Sequence, residues 1–168
     1  MRKTSFDVKK TVTLSSLIAV AMILSYVESL IPAFVAVPGV KMGLSNIATV
    51  FALYTLGWHY AICVSVVRVL LSALLFGNFV GLIYSLAGAA LALIVMILLK
   101  RLDSFSSIGV SVAGGVCHNA GQIIAACIIM KTAGISLYLI PLVISGTVSG
   151  ILIGMVSGML VERVKKYI

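Results

Sequence analysis

The chain has 168 residues, 62% of them apolar and only 10% charged, with a mean hydropathy of +1.26, whereas a soluble domain is about half apolar and about a quarter charged. So much apolar material overfills any core a chain of this length could build, so the remainder faces lipid and a soluble protein is excluded. A net charge of +8 would suggest nucleic acid in a soluble protein, but here the basic residues flank apolar runs and act as topology signals, so no nucleic-acid partner is expected.

At about 20 residues per span, the length holds roughly six transmembrane helices in one membrane domain, residues 1–168. The first span, about 12–31, follows the basic segment Met1 to Lys10 and ends at Pro32. It exceeds the usual 7–15-residue secretory core and is therefore read as a helix. A polar loop with Pro38 and Gly39 leads to a shorter run at 43–56. Fourteen residues reach only about 21 Å, so this helix must begin nearer Lys41, tilt little or sit in a thinned bilayer.

After the Gly57-Trp58 turn come spans at 59–76 and, beyond Gly77-Asn78, 79–99, closed by Lys100 and Arg101. A fifth at 105–130 and a sixth at 137–161 follow, then a basic tail. Placing both termini in the cytoplasm puts Arg2, Lys3, Lys9, Lys10, Lys100, Arg101, Arg163, Lys165 and Lys166 inside, with only Lys41 and Lys131 outside. This bias orients a multi-pass protein of the cell membrane, and an all-α six-helix bundle is the expected fold, because open sheet edges cannot face lipid. Trp58 and Tyr60 read as interfacial anchors.

The sixth span carries Gly146, Gly150, Gly154 and Gly158 at every fourth position. The fifth has Gly109, Ala113, Cys117, Gly121 and Ala125, and the first has Thr11, Ser15 and Ala19. These are small-residue stripes that let helices approach closely. For the fifth and sixth the expected use is packing within the bundle; for the first, docking of a partner protein carries nearly equal weight.

Ionisable and strongly polar residues inside a bilayer are functional candidates by default. Arg68 lies mid-way along the third span, and Glu28 lies near the outer end of the first. Arg68 either pairs with Glu28 or meets an anionic or carbonyl group of a ligand. In Cys117-His118-Asn119-Ala120-Gly121-Gln122, helical spacing gathers His118, Asn119 and Gln122 on a face that cannot look at lipid, either bonding between helices or lining a polar cavity. The stretch from Pro38 to Asn46 reads as a ligand loop or as a simple turn, with Lys41 reaching the interface.

Asp7, Glu28, Asp103 and Glu162 are the only acidic residues and lie far apart, which rules out chemistry built on clustered carboxylates around magnesium. Cys63, Cys117 and Cys127 show no CxxC spacing, and His59 and His118 lie at different depths. No metal, haem or covalent cofactor site is expected, and no phosphate loop occurs. The chain reads as a binding protein rather than an enzyme.

Three stretches resemble a known family: PGVKMGLSNI (Pro38 to Ile47), Arg68 with LLFGNF (Leu74 to Phe79), and GGVCHNAGQ (Gly114 to Gln122). They are similar to the Gx transporters, often labelled heptaprenyl diphosphate synthase component I, across essentially the whole chain. Members are similar to the S components of energy-coupling factor (ECF) vitamin transporters. The resemblance implies six helices with cytoplasmic ends and a ligand held in the outer half beneath the first loop. It also implies docking on an ECF transmembrane subunit with its ATPases through Thr11, Ser15 and Ala19.

On that footing Lys41, Asn46, Arg68, His118, Asn119 and Gln122 surround a vitamin-, flavin- or quinone-like ligand. The resemblance also implies an alternative, a membrane component of extracellular electron transfer that holds a quinone or flavin and anchors a flavin-bearing extracytoplasmic protein. The synthase label conflicts with the acidic inventory and is not expected as an activity.

Overall fold

The computed structural model describes residues 8–30, 43–77 and 79–165. Among them are six α-helices and no strand: α1 (Val8–Leu30), α2 (Asn46–Thr55), α3 (Trp58–Phe76), α4 (Phe79–Arg101), α5 (Ser107–Met130) and α6 (Leu139–Lys165), with a 3₁₀ turn at Ala133–Tyr138 before the last. Five helical segments are long and apolar enough to cross a membrane, and α2 is not among them. Helix α1 starts at Val8, four residues before the apolar run, because Lys9 and Lys10 continue the helix beyond it; α6 likewise runs on to Lys165.

The second helix differs most from the expected span at 43–56. It has ten residues, a length of about 15 Å. The preceding backbone turns at Gly43, where φ is +75°, a conformation glycine adopts without steric cost. The Gly57 φ of +105° allows α3 to start at once after α2.

Helices α1 and α3 run parallel: the Tyr26 and Phe76 rings meet at 5.2 Å near the ends of their helices. Of the described residues between α1 and α3, only 43–57, with the ten-residue α2, lead back to the start of α3. Near the opposite end, Lys100 of α4 donates to the Leu53 carbonyl at the end of α2 and lies 5.2 Å from the Tyr54 ring. This basic end gathers the beginnings of α1, α3 and α5 with the ends of α2, α4 and α6.

The tightest packing joins α5 to α6 and to α4. A Cβ added at Gly146 would lie 3.0 Å from the Gly115 carbonyl oxygen, one at Gly150 2.6 Å from the Val112 Cα, and one at Gly154 2.6 Å from the Ile108 Cα. Gly158 comes against Ser107 in the same way. Each four-residue step along α6 thus moves back along α5, as antiparallel helices with touching backbones require. The α5 residues facing this ladder are Ser107, Ile108, Val112 and Gly115, rather than the row from Gly109 to Ala125. Gly121 of that row faces α4, where a Cβ would lie 2.9 Å from the Gly88 Cα.

Candidate ligand cavity

Among the described residues, no helix fills the space above the first turn of the short α2. A cavity of about 710 Å³ occupies it, within the range of small-molecule sites. It lies towards the end of the bundle away from the start of α1 and the end of α6, reaching from Val50, Met96 and Ile153 up to Phe76, Met130 and Tyr138. Its walls are largely apolar, and polar groups enter from all six helices.

Arg68 enters from α3. Its Nη1 donates to the Ser45 hydroxyl at 2.6 Å and its Nη2 to Asn46 Oδ1 at 3.3 Å, so the guanidinium fixes the residues at the start of α2. Glu28, buried near the end of α1, accepts from the Gly43 backbone N–H. Its charge also acts on Arg68. The two charged groups therefore work as a frame around residues 43–46: the carboxylate holds the glycine turn and the guanidinium holds the helix start.

His118, Asn119 and Gln122 all line the cavity from α5. Asn119 is 6% exposed, and its amide donates to the Leu142 carbonyl at 2.7 Å, tying α5 to α6. The His118 ring and the Gln122 side chain lie against Gly88 of α4, where a Cβ would meet them at 3.1 and 2.9 Å. Of the residues expected at a ligand site, the structure thus brings Asn46, Arg68, His118, Asn119 and Gln122 to one cavity, with Glu28 beside them. Lys41 and the loop from Pro38 to Met42 lie outside the described residues. Thr11, Ser15 and Ala19 are exposed on α1, away from the cavity.

Sequence reasoning passed over Ser25, Ser45, Thr49 and Tyr84. Ser25 precedes Glu28 by three positions and Thr49 follows Asn46 by three, so helical spacing could have grouped each with its charged or polar neighbour. Among the described residues, Ser25 Oγ, Thr49 Oγ1, Arg68 Nε and the Tyr84 hydroxyl are buried without a hydrogen-bond partner, and all four residues line the cavity. Buried polar groups are ordinarily satisfied, so such a concentration marks a place prepared for something else. The described residues hold no group of three or more His, Cys, Asp or Glu able to bind a metal ion.

The family described as heptaprenyl diphosphate synthase component I matches residues 17–160. In fold, the chain is similar to a solved S component of a bacterial ECF transporter, with a TM-score of 0.66 and 21% identity over 95% of this chain and 96% of that one. No curated protein matches the chain.

Proposed function

The chain belongs to the family described as heptaprenyl diphosphate synthase component I, and from that premise we propose that it is a membrane protein that captures a small molecule in the cavity above α2. The observation that carries this reading is the cavity of about 710 Å³ with four lining residues that each carry one buried polar atom without a partner. A purely structural core would fill such a space, because interiors pack to crystal-like density. The likeness in fold to a transporter's S component supports the same reading.

On this reading the basic end faces the cytoplasm and the cavity faces outward, since positive residues favour the inner side. Energy comes from partners, an ECF transmembrane subunit with its ATPases. The exposed row of Thr11, Ser15 and Ala19 on α1 suits close approach of a partner helix, as small residues do in membranes. The family's name is not read as an activity, because four dispersed acidic residues offer no carboxylate cluster for magnesium and diphosphate.

The test uses the full chain purified in detergent. A solvent extract of its native membranes, added back, should raise the melting temperature, since a ligand that binds only the folded state stabilises it. The variant Ser85→Phe with Ala89→Phe, which adds two rings to the cavity wall on one face of α4, should melt cooperatively and not respond. Equal responses from the two proteins would contradict capture in the cavity.

A further inference from the structure

The basic end of the bundle carries a second, smaller pocket, apart from the cavity above α2. It holds about 200 Å³ and is lined by Leu53 near the end of α2, by Gly57 and Trp58 where α3 begins, and by Ile97, Lys100 and Arg101 at the end of α4.

Neighbouring residues of a helix point about 100° apart, so two consecutive cations ordinarily diverge. Here both line one pocket. Lys100 is held in place, since its ammonium donates to the Leu53 carbonyl and lies 5.2 Å from the Tyr54 ring. Arg101 is exposed, and among the described residues its guanidinium has no hydrogen bond or ion pair. No acidic side chain among those residues lines the pocket. A Cβ at Gly57 would meet nothing within 4 Å, so the space beside the start of α3 is open.

The pocket sits where a membrane boundary falls. Lys100 and Arg101 end the most apolar of the candidate spans, with a mean hydropathy of 2.6, and tryptophans such as Trp58 seat at headgroup level. On the apolar side, Ile94 and Leu98 of α4 are each more than half exposed. Leu98 precedes Arg101 by three positions and Ile94 by seven, so one helical face carries apolar side chains up to the cation.

We propose that this pocket binds the headgroup of an anionic glycerophospholipid, its phosphate at Lys100 and Arg101 beside Trp58 and an acyl chain along Leu98 and Ile94. Basic pockets between helices at the membrane boundary take such headgroups. A zwitterionic lipid would bring an ammonium to a lining that offers it no carboxylate. A free phosphate shares the charge but has no chain to use the apolar face. Because Lys100 also holds the end of α2, the bound lipid braces the helix whose start frames the cavity.

Trp58 is the only tryptophan of the chain and reports on the pocket directly. The full chain in detergent is titrated with phosphatidylglycerol or phosphatidylcholine carrying the same brominated acyl chains, which quench indole fluorescence on contact. At about fivefold per basic residue, phosphatidylglycerol should half-quench Trp58 at a concentration about twenty-fivefold below phosphatidylcholine. Arg101→Gln should melt as wild type does and reduce that preference to about fivefold. Arg163→Gln removes one charge from the same end of the bundle but outside the pocket, and should leave the preference unchanged. Glycerol 3-phosphate at matched ionic strength should not relieve the quenching.

The proposal is overturned if the two lipids quench alike, or if Arg101→Gln combined with Lys100→Gln keeps the full preference. It is overturned equally if Arg163→Gln weakens the preference as much as Arg101→Gln, which would assign it to the general positive field. Relief of quenching by glycerol 3-phosphate would make the occupant a soluble anion and overturn the lipid. None of these outcomes bears on capture in the cavity above α2.

Discussion

Arg68 donates to the Ser45 hydroxyl at 2.6 Å, and through this contact the middle of the third helix holds the start of the second. A helix of ten residues that begins inside a bundle has first-turn N–H groups and a positive dipole end in a medium without water. Such a start persists only where side chains position it. Here Arg68 binds the two residues at the helix start, while Glu28 takes the N–H of Gly43 just before them.

Removing the guanidinium should therefore loosen α2. Arg68→Met is expected to lower stability by about 2 kcal/mol, the scale of hydrogen bonds to a charged group. Adding Glu28→Gln should recover part of that loss, because a buried carboxylate deprived of its nearby cation is costly. Thermal unfolding in detergent checks both, and a single variant as stable as wild type would show that α2 is held by other contacts.

The glycine ladder of α6 should tolerate no side chain. At Gly150 a Cβ would lie 2.6 Å from backbone, the Val112 Cα, so Gly150→Leu should cost about 3 kcal/mol by forcing the helices apart. Ile144→Leu, at a position 62% exposed, should change stability by less than about 0.5 kcal/mol. Equal melting temperatures would mean that α5 and α6 do not meet along this row.

Asn119 should matter to helix association. Its hydrogen bond to the Leu142 carbonyl is short and buried, so Asn119→Ala should destabilise by about 0.6 kcal/mol, the average for hydrogen bonds between membrane helices, and by no more than about 1.7 kcal/mol, the largest found. Increased hydrogen exchange at the start of α6 would locate the loss; unchanged exchange there would assign the bond no holding role.

Orientation is open to chemical labelling in whole cells. A cysteine placed at Thr132, at the far end of α5, should react with an impermeant thiol reagent from outside. One at Ser104, beside the basic end of α4, should react only after permeabilisation. The opposite pattern would invert the topology and turn the cavity inward.

Much of the fold was legible because lipid imposes a simple rule: long apolar runs become helices, and the Lys100–Arg101 pair marks where one ends. The brevity of α2 could be sensed from Ser45 and Asn46 interrupting an apolar run. Its consequence, a cavity beside the helix start, depends on where α3 and α6 stand. Arg68 and His118 were visible as costly residues in hydrocarbon. Ser25, Thr49 and Tyr84 were not, since a single hydroxyl in an apolar helix is ordinary and becomes informative only when the fold leaves it buried without a partner. The α6 stripe was readable from spacing; the matching row through Ser107, Val112 and Gly115 was not, because several faces of α5 carry small residues.

Native mass spectrometry of the full chain, purified gently from its own membranes and released from micelles, tests capture in the cavity most directly. Wild-type protein should carry a one-to-one small-molecule adduct, and the Ser85→Phe with Ala89→Phe variant should fly bare at the same charge states. An adduct of equal occupancy on both proteins, or none on either, would contradict the account.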